Sequence, residues 1–246
     1  MLFEHDLRRA LERSGLEAPI RFDEVTRSTQ ETALSLAEEA APEWTLVAAR
    51  HQTAGRGRLG REWVDEPGRA LMFSFVLRPS LPPERGGLLP LLAGEALVGA
   101  VRVVAGVAAS CKWPNDLLVG GNKAGGILAE SKVTEDRFEY VVLGVGVNLD
   151  PPDEIPGAAG IGPCDEAELL AEFLVKFRSG YEHPNTIIEA YRQVCATLGH
   201  DVRATRTEGR TIRGRAVDID ETGSLIVETE EGREPIRSGE VEHLRR

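Results

Sequence analysis

The most informative stretch of the sequence is HQTAGRGRLGR, residues 51–61, in which glycines alternate with arginines. Glycine lets a backbone approach a ligand closely and expose its N–H groups. The arginine guanidinium group is a permanently charged, forked donor that suits phosphate or carboxylate. The pattern therefore predicts a loop that binds an anion. The alternative is a flexible arginine–glycine segment of the RNA-binding type, but such tails are long and repetitive, whereas this segment occurs once, between two predicted strands.

Other phosphate-binding loops fit this segment poorly. The GxxxxGK[ST] pattern is absent from the chain, which excludes a P-loop. Gly55, Gly57 and Gly60 do have the GxGxxG spacing, but no helical pattern follows them, and residues 63–67 (WVDEP) interrupt the strand–loop–helix context of a dinucleotide site. A lone GxGxxG is weak evidence, so we set a dinucleotide-binding fold aside.

The composition places this basic loop in an acidic protein. The chain has 246 residues, with 29 Lys plus Arg against 40 Asp plus Glu, and a net charge of −11. Such a surface repels nucleic acid and anionic membranes, so we expect neither DNA nor a membrane as a partner. The length allows one large domain, or a medium domain with a small companion.

Cysteine usage and the apolar segments bear on the cellular context. Cys111, Cys164 and Cys195 are odd in number and form no CxxC pattern, which favours free thiols in a reducing cytoplasm over disulfides or a zinc site. The charged N-terminus lacks the apolar core of a signal peptide. The apolar stretch 88–107 contains Glu95 and Arg102, and this indicates a buried core helix rather than a membrane span.

Two further clusters combine polar residues with glycine or proline. Lys112 begins KWPNDLLV (residues 112–119) and Lys123 begins KAGGIL (residues 123–128), so that two lysines, an amide and a carboxylate surround a Trp-Pro pair. The segment GVGVN (residues 144–148) lies in an apolar strand, where glycine costs stability and often marks the close approach of a ligand. Simple strand packing explains these glycines equally well.

Apolar periodicity predicts an α+β arrangement followed by a small all-β unit. After Gly199, short alternating segments separated by glycine turns predict a small antiparallel barrel that docks on the rest of the chain. Pro114 argues for a loop or an edge position in its segment. Helices are expected at 3–14, 31–40 (capped by Ser28 or Thr29), 86–104, 166–181 and 185–198, and strands at 44–50, 70–78, 124–132, 138–149, 201–206, 211–219, 224–230, 234–237 and 241–245.

GRGRLGR, KWPNDLLV with KAGGIL, and GVGVN together resemble the motifs of the biotin–protein ligase family, in the same order and with similar spacing. Ser28-Thr29 also matches the family's ligand-contacting Ser-Thr. The resemblance implies an α+β catalytic domain in residues 1–199, with a mixed or antiparallel sheet and flanking helices of the class II synthetase type, and an SH3-like β-barrel in residues 200–246. Because few residues precede the first motif, we expect the short form without a DNA-binding helix-turn-helix.

The resemblance implies an ATP-dependent ligase. It would convert biotin into biotinyl-5′-AMP with release of pyrophosphate, and then transfer biotin to a lysine of a biotin carboxyl carrier domain of a biotin-dependent carboxylase. We therefore expect biotin and ATP with Mg²⁺ as small molecules, no resident metal site, and a cytoplasmic protein that could form a homodimer. The family's Ser-Thr-Asn is Ser-Thr-Gln here, and since Gln30 keeps both amide functions, we expect altered local packing with retained activity.

The resemblance also implies roles for individual residues. Fixed cations offset the repulsion between carboxylate and phosphate, so Lys123 and Arg56 are expected to be catalytic. Asp116 is expected either to orient or deprotonate the acceptor lysine, or to fix its loop. The expected biotin contacts are Ser28, Thr29, Gln30, Gln52, Gly55, Arg56, Gly57, Arg58, Lys123 and Gly126. The expected nucleotide contacts are Arg58, Arg61, Trp63, Lys112, Asn115 and Asn148, although Trp63 could equally be a core aromatic and Lys112 a support of its loop.

Two other functions fit parts of the sequence. A lipoate-type ligase or acyltransferase shares the fold, but lipoate lacks the ureido group that Ser28, Thr29 and Gln52 would bind. A non-catalytic nucleic-acid-binding module would use the arginine loop and the arginines of the C-terminal region, but that region lacks aromatic residues for stacking on bases.

Overall fold

The computed structural model describes residues 2–207 and 209–244. The α-helices of this part of the chain are α1 (Glu4–Arg13), α2 (Thr29–Glu38), α3 (Leu88–Val104), α4 (Glu166–Glu182) and α5 (Ile187–Val194). Its strands are β1 (Ile20–Thr26), β2 (Leu46–Gln52), β3 (Gly55–Arg56), β4 (Glu62–Trp63), β5 (Ala70–Leu77), β6 (Ala109–Lys112), β7 (Asp116–Val119), β8 (Asn122–Thr134), β9 (Arg137–Asn148), β10 (Asp201–Arg206), β11 (Thr211–Ile219), β12 (Leu225–Thr229), β13 (Gly232–Ile236) and β14 (Gly239–His243).

A seven-stranded mixed sheet with the order β1-β2-β5-β9-β8-β7-β6 forms the centre of the fold. The β1–β2 pair is parallel and the remaining neighbours are antiparallel. Every residue of β5 is buried, which explains its continuous apolar sequence, because a strand covered on both faces reads as an uninterrupted apolar run. The predicted α+β class is confirmed by this architecture.

Helices cover both faces of this sheet. On one face, α3 packs on α4 and α5, and rings from β5 (Phe73 and Phe75) meet rings from α4 (Phe173 and Phe177) in edge-to-face contacts. On the other face, α2 places buried alanines against Val47, Val76 and Val142. The helical segment Pro83–Val104 is long and apolar enough to cross a membrane, but 61% of its apolar 18-residue window is buried within the protein, in agreement with the predicted core helix.

The C-terminal region forms a separate five-stranded antiparallel sheet with the order β13-β12-β11-β10-β14. It is fastened to the larger unit by polar contacts. The indole Nε1 of Trp113 donates to the carbonyl oxygen of Gly223 at 3.0 Å, and Arg192 donates to Asp218 and to the carbonyl of Ile219, both at 2.8 Å. Closure of this sheet into an SH3-like barrel stays a prediction.

The main differences from the sequence-based expectation concern β1 and α5. Strand β1 was not predicted, because its residues are intermediate or exposed without a regular alternation and give a weak apolar pattern. Helix α5 is shorter than predicted, since Pro184–Thr186 forms a separate 3₁₀ turn and Cys195 adopts an extended backbone that bridges to Cys111. The segment 112–119 agrees with the expectation of a loop or edge position at Pro114: Lys112 ends the edge strand β6, Pro114 lies in the turn, and Asp116–Val119 forms β7 between β6 and β8.

Candidate active site

The predicted site residues converge on one cavity of about 250 Å³. Its walls come from the start of α2, the end of β2, the β3–β4 hairpin, the β6–β7 turn, parts of β8 and β9, and β14 of the C-terminal sheet. These elements are far apart in the chain, so the cavity forms only when the chain is folded. The predicted residues that line it are Ser28, Thr29, Gln30, Gln52, Arg56, Gly57, Arg58, Arg61, Trp63, Lys112, Asn115, Asp116, Lys123 and Gly126.

Two predicted residues lie outside the lining of this cavity. Gly55 lies in β3 behind Trp63, and a Cβ at this position would collide with the Trp63 carbonyl oxygen. Asn148 is buried at the end of β9, where its Nδ2 donates to the carbonyl oxygen of Ala159 at 3.1 Å. Both residues therefore support the backbone around the cavity in this structure, instead of facing into it.

One end of the cavity is a buried network of polar side chains. The backbone N–H of Thr29 donates to Gln52 Oε1 at 2.7 Å, and the hydroxyl groups of Thr29 and Ser74 lie 2.9 Å apart. The Ser74 hydroxyl donates to Gln30 Oε1 at 3.2 Å, while Gln30 Nε2 donates to the carbonyl oxygen of Val142 at 3.2 Å. Both functions of the Gln30 amide therefore have a hydrogen-bond partner within the protein, and the effect of glutamine in place of the family's asparagine stays a prediction.

Ser28 is the exception in this network. It occupies the N-cap position of α2 as predicted, but its hydroxyl makes no capping hydrogen bond. The hydroxyl oxygen is buried and has no hydrogen-bond partner in the described part of the chain. Because buried polar groups are nearly always paired, this hydroxyl is a natural contact for a polar group of a bound ligand.

Trp63 forms a wall of the cavity and packs on strand β9. A Cβ added to Gly146 would lie 2.7 Å from the indole ring, and one added to Gly144 would lie 2.5 Å from Gln30 Oε1. A side chain larger than hydrogen at either glycine of GVGVN would therefore collide with Trp63 or Gln30. These contacts explain the two glycines more specifically than ligand approach or general strand packing does. The Trp63 Nε1 is buried without a hydrogen-bond partner among the described residues.

Three cations of the site are each paired with a carboxylate. Lys123 Nζ lies 2.6 Å from Asp116 Oδ1, and Arg56 pairs with Glu130 at 2.8 Å. Arg61 forms an ion pair with Glu240 of β14. These pairs place positive groups in fixed positions around the cavity, while the acceptors keep the local charge balanced without a bound anion.

Arg58 joins three parts of the structure. Its guanidinium donates to Asn115 Oδ1 at 2.8 Å and to the carbonyl oxygen of Gly239 at 3.3 Å. Burial lowers the pKa of Arg58 from its ordinary value, with Asp116 opposing this shift and Arg61 adding to it. Arginine remains protonated in proteins, so a fixed, partly desolvated positive charge faces the cavity.

The β6–β7 turn is held from two sides. Asn115 exchanges hydrogen bonds with Ile127, its side-chain nitrogen donating to the carbonyl oxygen at 3.0 Å and its own carbonyl accepting from the Ile127 N–H at 2.9 Å. The backbone N–H of Trp113 donates to the Thr197 hydroxyl at 3.0 Å. Trp113 is only 1% exposed, so it is a core residue that anchors the turn.

Sequence reasoning missed two parts of the lining. Ser74 was overlooked, although a hydroxyl in the middle of the buried segment ALMFSFVL is a detectable signal, because buried hydroxyls need partners. The β14 residues Gly239, Glu240, Val241 and Glu242 also line the cavity. They carry no local motif, and their role arises from the docking of the C-terminal sheet.

Comparisons with known proteins agree with this geometry. Residues 22–148 match the Biotin/lipoate A/B protein ligase family, and residues 197–244 match the Biotin protein ligase C terminal domain. The Bifunctional ligase/repressor BirA of Bacillus subtilis is 37% identical, over 98% of this chain and 79% of that protein. The Biotin--[acetyl-CoA-carboxylase] ligase of Paracoccus denitrificans is 34% identical, over 88% of this chain and 97% of that protein.

Among solved structures, the chain is similar to the biotin protein ligase from Aquifex aeolicus in complex with biotin and ATP. The TM-score is 0.75 at 29% sequence identity, and the match covers 93% of this chain and 99% of that chain. A match over 93% of this chain is too long to leave out the C-terminal sheet, so it includes that sheet as well as the larger unit.

Proposed function

Because the chain belongs to the biotin/lipoate A/B protein ligase family, we propose that it acts as an ATP-dependent biotin–protein ligase with two successive steps. In the first, a carboxylate oxygen of biotin attacks the α-phosphorus of ATP, and pyrophosphate leaves. In the second, the amine of a carrier-domain lysine attacks the acyl carbon of biotinyl-5′-AMP, an amide bond forms, and AMP and one proton leave. The convergence of a buried polar pocket and fixed cations on one cavity carries this proposal.

The first step must bring together two anions. Lys123 and Arg58 supply positive charge at the cavity, and Asp116 and Asn115 hold these groups in place. Preorganised charges of this kind stabilise the developing charge of a transition state without a reorganisation cost. We assign Lys123 and Arg58 to the reacting carboxylate and α-phosphate, and Arg61, which reaches the site from the β3–β4 hairpin, to the nucleotide phosphates.

Arg56 receives a narrower role than the one expected from sequence. Its side chain is 43% exposed and paired with Glu130, although the residue lines the cavity. We propose that Arg56 supports the position of the hairpin over bound biotin. Its release from Glu130 would be needed before it could contact an anion directly.

The second step requires the removal of a proton from the attacking amine. Asp116 lies at the cavity, and its ion pair with Lys123 uses one of its two carboxylate oxygens. We propose that the other oxygen orients the incoming lysine and accepts a hydrogen bond from it. No residue of the protein needs to form a covalent bond with biotin in either step.

The buried network at one end of the cavity suits the ureido ring of biotin. Ser28 has an unpaired hydroxyl, and Thr29 and Gln52 add donors and acceptors beside it. A site that hydrogen-bonds a buried polar group rejects analogues that lack the group, by about 10⁴-fold or more. Trp63, with its indole face on the cavity wall, is assigned to the adenine base on the basis of its shape and stacking capacity.

Mg²⁺ would enter with ATP. In residues 2–207 and 209–244, no group of three or more His, Cys, Asp or Glu side chains is placed to hold a metal ion. Magnesium in nucleotide-using enzymes is generally bound by substrate phosphates, water and one or two carboxylates, and the cavity offers carboxylates such as Glu242. The ion would offset phosphate charge in the first step.

The decisive experiment supplies the purified protein with ATP, Mg²⁺ and either biotin or lipoate, and identifies the adenylate by mass spectrometry. We expect biotinyl-AMP and pyrophosphate, followed by transfer of biotin to an apo carrier domain of a biotin-dependent carboxylase. Formation of lipoyl-AMP alone would assign the protein to the lipoate branch, and the absence of any adenylate would overturn the proposal.

A further inference from the structure

A second cleft, of about 320 Å³, adjoins the reaction cavity. The two share Arg58, Trp113, Pro114, Asn115 and Ile127 in their lining. The β6–β7 turn and the Arg58 side chain are therefore a common wall. A molecule seated in the second cleft would lie next to the groups that we assign to both chemical steps.

The floor of this second cleft is apolar and partly uncovered. It is formed by Ala129 and Val133 of β8 and by Phe138 and Val141 of β9. Val133 is 45% exposed, and Phe138 is only half-buried. Concave apolar surface that remains in contact with water commonly marks a binding site.

The charge around the cleft is unusual for this acidic chain. Among the described residues that line this cleft, the charged ones are Arg58 and Arg237. Arg58 already donates hydrogen bonds to Asn115 and to the carbonyl oxygen of Gly239. Arg237 is exposed and takes part in no ion pair with the residues that the structure describes. Among other arginines of the C-terminal region, Arg203 and Arg210 are paired with Glu242 and Glu234. Arg213 has no ion pair with the described residues either, but it lies outside the cleft.

We propose that this second cleft docks the carrier domain during the transfer step. An apolar side chain close to the acceptor lysine would occupy the floor, and a carboxylate of the carrier would pair with Arg237. The inference rests on the proposed function, because the acceptor lysine must reach the acyl carbon in the adjoining cavity. Since each residue of an extended segment spans at most about 3.5 Å, the neighbours of that lysine must lie close to the cavity, and the cleft is separated from it only by the shared wall.

The test separates the two half-reactions with a small nucleophile. Hydroxylamine attacks biotinyl-AMP to give biotinyl hydroxamate and AMP, and it needs no docking surface, whereas an apo biotin carboxyl carrier domain does. We compare wild type with Arg237→Glu and Val133→Asp. The matched control is Arg213→Glu, which reverses an exposed arginine of the same sheet that lies outside both cavities.

We expect both cleft variants to form hydroxamate at the wild-type rate and to lose about tenfold or more in kcat/KM for the carrier domain, chiefly through KM. The control should keep both activities. Carrier variants in which single acidic residues near the lysine become lysine should include one that restores transfer by Arg237→Glu. Unchanged carrier kinetics in both cleft variants, or equal losses in both half-reactions, would overturn the docking proposal. Failure of the wild type to form hydroxamate would count instead against the proposed function.

Discussion

Arg58 and Asn115 are joined by a hydrogen bond of 2.8 Å, from the guanidinium to the side-chain oxygen. This bond connects the glycine–arginine loop to the turn of KWPND, two motifs that are separated by more than fifty residues in the sequence. The same asparagine is fastened to Ile127 on β8. The arginine is therefore positioned by the central sheet and does not depend on its own loop alone.

Removal of the Asn115 side chain should weaken catalysis more than stability. Asn115→Ala removes the side-chain acceptor of Arg58 and leaves only the longer hydrogen bond to the carbonyl oxygen of Gly239, so we expect the rate of adenylate formation to fall about 10²-fold, in the range seen when one preorganised donor is lost or misplaced. The measurement is pyrophosphate release under saturating biotin and ATP. The exposed Asn185 provides the control variant Asn185→Ala, and equal rates in the two variants would contradict the role of Asn115.

The ion pair between Lys123 and Asp116, at 2.6 Å, leads to a stronger expectation. Lys123→Ala should nearly abolish pyrophosphate release, a loss of about 3 kcal/mol or more in transition-state stabilisation, while circular dichroism shows an intact fold. Asp116→Asn should retain more adenylate formation than Lys123→Ala but lose transfer to the carrier domain. Near-normal pyrophosphate release by Lys123→Ala would remove this lysine from the reaction.

Substitution of the two glycines of β9 should affect the KM values of the two substrates differently. Gly146→Ala places a methyl group 2.7 Å from the Trp63 indole, whereas Gly144→Ala places one 2.5 Å from Gln30 Oε1. We therefore expect the first variant to raise the KM for ATP and the second to raise the KM for biotin, each by roughly tenfold, since overpacking costs about 1–3 kcal/mol. Steady-state kinetics with each substrate varied in turn gives the comparison. The same pattern in both variants would show that the substrates are not divided in this way.

Removal of the unpaired Ser28 hydroxyl should change biotin binding without lowering the stability of the fold. Because Ser28 Oγ is buried without a hydrogen-bond partner among the described residues, Ser28→Ala should leave the free energy of unfolding unchanged or slightly higher, in line with the cost of a buried unpaired polar group. Biotin affinity should fall about tenfold if this hydroxyl contacts the ligand. Calorimetry of biotin binding and chemical denaturation measure the two quantities. A large loss of stability with unchanged affinity would indicate a structural role.

His243 predicts a pH dependence of stability. Burial, the nearby Lys112 and the stacked His200 lower the pKa of His243 from 6.5 to about 4. Its Nε2 lies 3.2 Å from the hydroxyl of Thr197, which accepts from the Trp113 N–H and so has its own proton to offer. Neutral His243 is thus favoured in the folded protein.

The sign of this effect follows from proton binding. Between pH 6.5 and about 4 the unfolded chain binds a proton at His243 that the folded protein does not, so stability falls as the pH is lowered. The full shift would correspond to about 3.4 kcal/mol at 1.36 kcal/mol per pKa unit, and because His243 is only partly buried, screening by solvent makes its contribution smaller than this. Denaturation at pH 7 and pH 4.5 should show a smaller loss for His243→Gln than for wild type, since glutamine can accept from Thr197 without titrating. Identical losses would exclude His243 as the responsible group.

Sequence patterns were most reliable where one local rule governs the structure. The alternating segments after Gly199 gave strands such as β11 at its observed bounds, and the continuous apolar run of β5 was recognised because burial on both faces leaves a clear signature. Strand β1 was missed because half-exposed residues in a parallel edge strand leave no such signature. Helix α5 was overextended because the pairing of Cys195 with Cys111 is a tertiary contact.

In the site, too, the residues whose role follows from local sequence were predicted, and those whose role follows from tertiary contacts were not. Glycine and arginine in the loop, and lysine beside glycine in KAGGIL, indicated an anion site, because the residue types themselves carry the chemistry. The roles of Ser74 and Glu240 depend on which side chains meet across the fold. Asn148 was expected at the nucleotide, but the carbonyl of Ala159 takes its donor, and a contact of this kind has no sequence pattern.

The bond from the Trp113 indole to the carbonyl of Gly223 limits how freely the C-terminal sheet can be exchanged. A chimera that carried the corresponding sheet of a relative would have to present a backbone acceptor at that point, or else leave an indole N–H without a partner inside the protein core. The turn that bears Lys112 and Asn115 would then lose one of its supports. Grafting experiments within the family should therefore transplant the sheet together with the β6–β7 turn as one inherited unit.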